Sequence, residues 1–344
     1  MPLTLSRTGI ALAFSCAFGV VKAEGTLTLY NWESYTSAQM IEKFEKEHNV
    51  AVELVEYESS DTALAKVRDQ SVAADVAVVA GNYLPLWIAE DLVLAAHPSQ
   101  LDNFRNLTAQ WVDPPFDPGR KFSVPWAWGV VGVAIHTDVY KGDIDTWSVV
   151  IDPPKELQGT INIGADMNEV IYAAVRYHGG KMCDADPQLL RQVRNTLVKA
   201  RPAWASMEYG SVQKMATGHF KASIDWNGAA LRQRMINPTI RFGLPREGTQ
   251  IFSDNVVILK RSTNVANARL FMNFIMEPRN AALNSAFHGY ASAVAGAEQF
   301  MPASMRDAPE LNIPAEVLRK AQFTFACPAN VQEQYAAIWT ELSQ

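Results

Sequence analysis

Between Thr26 and Glu90 the chain alternates strand-like and helix-like segments at a spacing that leaves little choice of architecture. Thr26–Tyr30 alternates small polar and apolar residues, the pattern of a strand packed on one face. Thr36-Ser37 then caps a helix to about His48, with Met40, Ile41 and Phe44 on one side. Val50–Tyr57 alternates again, and Asp61 opens a second helix to about Gln70. Ala74–Val79 reads as a buried strand ending at Asn82-Tyr83, and Leu84–Glu90 as a short helix. Strand, helix, strand, helix, strand predicts βαβ units on a parallel sheet.

The remainder leaves that unit and comes back. After a Pro- and Gly-rich loop at Asp113–Arg120, the long apolar run Phe122–Ile135 carries Trp126 and Trp128 and reads as a crossing strand. Next come a strand at Thr160–Ile163, helices from Asn168 to about Tyr177 and from Asp186 to Ala200, a helix at Ser211–Thr217 and a strand at Lys221–Trp226. Ile240–Leu244 and Phe252–Leu259 are strands able to carry the chain back. Helices follow at Asn264–Met276, Arg279–Ser285 and around Gln332–Leu342. The expectation is two lobes joined by crossing strands, with a cleft at their interface where ligands sit by preference. The first lobe spans residues 24–128 plus about 245–302, and the second spans 129–244 plus about 303–344.

Composition excludes several classes. The apolar run Ile10–Val21 after Arg7, ending in Val21-Lys22-Ala23, is a secretory leader over residues 1–23 and is set aside. A lipid anchor at Cys16 is disfavoured because Phe14 is bulky where small residues are expected. The expected location is the periplasm. Removing Arg7 and Lys22 leaves 28 basic against 36 acidic side chains, a net charge of −8, which argues against nucleic acid. Cys183 and Cys327 remain, 144 positions apart, and their pairing is left open. The six histidines are scattered, with no H-E-x-x-H, no Cys/His cluster, no G-x-S-x-G elbow and no phosphate loop. Asp184 and Asp186 read as a helix cap rather than a metal site. Enzyme is the poorer hypothesis, and no cofactor is expected.

What remains is a set of segment ends of one composition. Trp32, Glu33, Ser34 and Tyr35 follow the first strand, where open α/β sheets bind ligands. Asn82 and Tyr83 follow the third, Asp166 and Glu169 open a helix, Trp226 ends a strand, and Phe252 and Asp254 begin one. Taken singly each has a plain structural role: acids suit helix N-termini, and a lone Trp or Phe is more often core. Together they suit an alkylammonium ligand. Its charge must meet carboxylates once stripped of water, and rings supply apolar faces plus about 0.5–2 kcal/mol of cation–π attraction each.

The chain resembles the periplasmic putrescine/spermidine-binding proteins of bacterial ABC importers over nearly all of residues 25–344. The marks are Tyr30-Asn31-Trp32 with Tyr35, Asp75-Val76, Pro125 with Trp128-Gly129, Glu169, Trp226 with Gly228, and Phe252 with Asp254. The resemblance implies a two-lobed type-II periplasmic-binding-protein fold of class α/β, with mixed, mainly parallel sheets and hinge-crossing strands. It also implies closure on a small amine ligand and delivery to inner-membrane ABC permease subunits by a monomeric receptor. Carried over by position, Trp32, Tyr35, Trp226 and Phe252 resemble the box around the ligand's methylenes. Asp254 and Glu169 resemble its amine-holding carboxylates, Asp166 an additional acid, and Asn82 and Tyr83 the loop that tunes ligand length.

Three departures bear on the ligand. Glu33-Ser34 exchanges the order of acid and hydroxyl usual after the Asn-Trp pair. Ala229 stands where the resemblance leads one to expect Asp, and Phe287 is taken as the counterpart of a tyrosine near the C-terminal third. The ligand is then a di- or triamine with Glu33 restoring a site, an ω-amino acid such as 4-aminobutyrate or 5-aminovalerate, or a bulkier cationic amine. Arg232 is a candidate cation for a carboxylate, although solvent is the expected place for it. An amine sensor would carry the same binding residues as a transport receptor.

Overall fold

A computed structural model describes residues 25–164 and 166–344; the leader expected over 1–23 and Cys16 lie outside the described residues. Among the described residues ten strands are present: β1 (Gly25–Trp32), β2 (Val50–Tyr57), β3 (Val76–Ala80), β4 (Ser123–His136), β5 (Ile161–Asn162), β6 (Trp204–Ser206), β7 (Ala222–Trp226), β8 (Ile240–Gly243), β9 (Gln250–Ile258) and β10 (Gln322–Phe323). Their order is β2-β1-β3-β9-β4-β7-β5-β6, with β10 beside β9 and β8 beside β4. β1 runs parallel to β2 and β3, as the βαβ spacing predicts, whereas β9 returns antiparallel between β3 and β4.

The two lobes meet in β4. Up to Val130 it pairs with β9, Val130 lying opposite Ile251; from Val131 it pairs with β7, Val131 lying opposite Trp226. One unbroken strand therefore belongs to both lobes. Its alternate residues are buried on both sides, which is why it reads as a continuous apolar run. The first lobe is a two-sided sandwich. Leu27, Leu29, Val76 and Val256 face a layer holding Met40, Phe44 and Phe271, while Tyr30, Ala77 and Val257 face Leu64, Trp87 and Trp111. The second lobe packs Val133, Ile135 and Ile224 against Ile171, Leu197 and the C-terminal helix Ala329–Leu342. Met305 and Ala308 pack in the same core cluster as Leu27 and Phe271.

Local signals account for the helix boundaries. Ser37 accepts from the Met40 amide and starts the helix Ala38–His48, and Asp186 accepts from Leu189 to start Pro187–Ala200. The helix expected from Arg279 begins at Pro278, because the Glu277 carboxylate caps the Asn280 amide and proline suits the first turn. Cys183 and Cys327 form a disulfide within the second lobe.

Candidate functional site

Between the lobes lies a cavity of about 720 Å³. Its lining includes Trp32, Glu33, Ser34, Tyr35, Asn82, Tyr83, Asp166, Glu169, Trp226, Phe252 and Asp254, so all of the residues singled out in the sequence are brought together. Each arrives by a local device at a segment end.

Asn31 ends β1 by folding back on the chain: its side chain donates to Thr36 Oγ1 at 2.7 Å and accepts from the Trp32 amide at 2.8 Å. The four residues between are thereby thrown into the cleft. Trp32 packs on Tyr57 at 4.7 Å between ring centres. Ser34 adopts a left-handed backbone (φ 55°), held by its amide donating to Glu56. Tyr35 is buried, and its hydroxyl donates to Asp254 Oδ2 at 2.9 Å. Beyond β3, the Gly81 amide donates to the Ser253 carbonyl, and Tyr83 donates to Asp61 at 2.8 Å.

The second lobe supplies the opposite wall. Asp166 caps the helix Met167–Tyr177, one carboxylate oxygen accepting from the amides of Asn168 and Glu169. Glu169 accepts from Trp226 Nε1 at 2.7 Å, so the ring ending β7 and the acid opening the helix fix each other. Phe252 meets Tyr290 edge-on at 5.3 Å, and Tyr290 meets Tyr35 at 5.7 Å.

Burial dominates the electrostatics. Desolvation raises the Asp254 carboxyl to about 7, partly opposed by the Tyr35 hydroxyl. Glu169 is pushed well above the usual carboxylate range by burial and then by neighbouring Asp166, with the Trp226 hydrogen bond pulling back. Asp166 is exposed into the cleft it lines, and desolvation there outweighs its two amide bonds, so its carboxyl is raised too. A cation seated among these three groups would stabilise their ionised forms.

Sequence reasoning missed several of the lining residues, among them Tyr209 and Tyr290, and misplaced two others. Phe287 is not the C-terminal aromatic of the site, since it is 45% exposed. The helix Pro278–His288 ends on Gly289 at φ 84°, and this left-handed turn delivers Tyr290, 5% exposed, to the cleft. The glycine following the helix was the available signal. Arg232 is half-buried and lines the cavity, three residues from Ala229 on the same face of the helix Asn227–Ile236. Among the described residues no group of three His, Cys, Asp or Glu is placed to hold a metal.

The family model for bacterial extracellular solute-binding proteins matches residues 39–313. The chain belongs to that family. Among its relatives in the family, a putrescine-binding periplasmic protein of Pseudomonas aeruginosa is 27% identical over 337 residues, covering 92% of this chain and 91% of that protein. A spermidine/putrescine-binding periplasmic protein of Escherichia coli is 26% identical over 336 residues, covering 96% and 95%. A solved spermidine/putrescine ABC transporter substrate-binding protein of Streptococcus pneumoniae superposes with a TM-score of 0.82 at 21% identity, covering 93% of this chain and 99% of that one, a likeness of fold. The solute-binding family is thus the two-lobed α/β architecture described above.

Proposed function

We propose that the chain is the periplasmic solute-binding component of an ABC importer for short aliphatic amines. The observation that carries this reading is the convergence, in one cavity, of the carboxylates of Glu169, Asp166 and Asp254 with the rings of Trp32, Tyr35, Trp226 and Phe252. The acids replace the hydration of an ammonium group, and the rings cover the methylenes at about 0.5–2 kcal/mol each. Relatives named for putrescine and spermidine binding point the same way. The position of the cavity beside β4, a strand shared by both lobes, suits closure on a ligand followed by presentation to membrane permease subunits. Isothermal titration of refolded, ligand-free protein with putrescine, cadaverine, spermidine, 4-aminobutyrate and 5-aminovalerate tests it. Saturable heat with at least one is expected, and silence with all five would sink the reading.

A further inference from the structure

The cleft is not uniformly acidic. Among the described residues lining the cavity, Arg232 is the only basic one. Its Nε is sealed from water without a hydrogen-bond acceptor, and among the described residues it has no ion-pair partner. The one acid close in sequence, Asp225, is already engaged. One of its oxygens accepts from Ser211 Oγ and Gln233 Nε2, each at 2.6 Å, and the other accepts from the Trp226 amide. On the same helix face Ala229 brings no charge. The backbone of Gly289 closes over the Arg232 stem, since a Cβ there would lie 3.4 Å from Arg232 Cγ, and Tyr290 follows directly.

Among the described residues Glu169, Asp166 and Asp254 each keep one oxygen without a hydrogen-bond donor, whereas the Arg232 guanidinium is itself a donor. A diamine reaching from one to the other would set its second ammonium against a guanidinium whose neighbouring acid, Asp225, already accepts three hydrogen bonds. A carboxylate there would accept from the two terminal nitrogens together, a bidentate geometry that guanidinium groups favour.

We infer that the preferred ligand is an ω-amino acid, its ammonium among Glu169, Asp166 and Asp254 and its carboxylate on the Arg232 guanidinium. This rests on the amine reading of the same cleft and specifies the ligand's far end.

Titration of the wild type and of Arg232→Gln with 4-aminobutyrate, 5-aminovalerate, 6-aminohexanoate, putrescine and cadaverine tests it. In the wild type the best ω-amino acid is expected to bind at least tenfold tighter than either diamine. Arg232→Gln should weaken it at least tenfold and leave the diamines unchanged or tighter. Ala229→Asp should shift preference toward the diamines. Diamines binding tighter than every ω-amino acid in the wild type would overturn the inference while leaving the amine reading intact. Equal weakening of both ligand classes by Arg232→Gln would also overturn it. Absence of heat with all five compounds and with spermidine would remove both. The wild-type ranking needs no variant, so a poorly folding substitution leaves the decision standing.

Discussion

Asp254 carries a carboxyl that burial holds near neutrality, raised to about 7, with the Tyr35 hydroxyl as its hydrogen-bond donor. An ammonium favours the ionised form, so the carboxyl's pKa falls on binding and protons are released below pH 7. Affinity for an amine should therefore rise between pH 5 and 7 by at most about tenfold per unit and level off above. Titrations in two buffers of different ionisation enthalpy check this, giving unequal heats at pH 6 and equal heats at pH 8. Asp254→Asn should reduce that pH dependence to the part that Glu169 and Asp166 contribute and weaken binding by about 2–5 kcal/mol; a loss under tenfold would mean that the carboxyl serves the fold. For ligand-free stability the sign follows from the raised value: ionising Asp254 costs more in the folded than in the unfolded chain, so its contribution falls as pH rises from about 4 to 7. His288 acts oppositely. Burial, then Arg232, lowers it to about 3, so stability is lost as pH falls from its unfolded value of 6.5 toward 3. Thermal melts of Asp254→Asn and His288→Gln across pH 4 to 8 should separate the two, each variant flattening its own limb.

At the scale of elements, β4 and the helix Asn227–Ile236 set the geometry between the lobes. Asn227 accepts from the Val130 amide, where β4 changes partners, and donates to the Glu310 carbonyl, both at 3.0 Å. The Glu310 carboxylate in turn takes both prongs of Arg234, at 2.6 and 2.8 Å. This arrangement needs a bare backbone at Gly129: a Cβ there would lie 2.1 Å from Asn227 Oδ1 and 2.7 Å from a ring carbon of Phe252. Gly129→Ala should then destabilise the protein by about 1–3 kcal/mol in urea titration and weaken amine binding as well, because the same clash moves a ring of the cleft. Elements of this kind were partly legible beforehand. Ser37, Asp166 and Asp186 announced their helices because a cap is a contact between residues two or three apart. Glu277-Pro278 carried an equally local signal for the helix placed one residue late.

For the whole molecule, the disulfide between Cys183 and Cys327 fastens the loop after the helix Met167–Tyr177 to the segment before the C-terminal helix, closing a ring of 144 positions. Its reduction should cost about 2–5 kcal/mol and lower the melting temperature, measured with and without reductant. A bound ligand at a hundredfold excess over its Kd should add about 2.7 kcal/mol to the stability of the intact receptor. By itself the sequence determined the succession of strands and helices, the departure from and return to the first lobe, and the aromatic and acidic residues at the segment ends. Those properties follow from periodicity and capping, which act between near neighbours. Only the tertiary structure decided that Cys183 meets Cys327, that β4 changes partners at Val130, that Tyr290 rather than Phe287 enters the cleft, and that Arg232 turns inward. Each of these depends on which distant segment lies against a given face, and a helix or turn carries no record of that until the chain has packed.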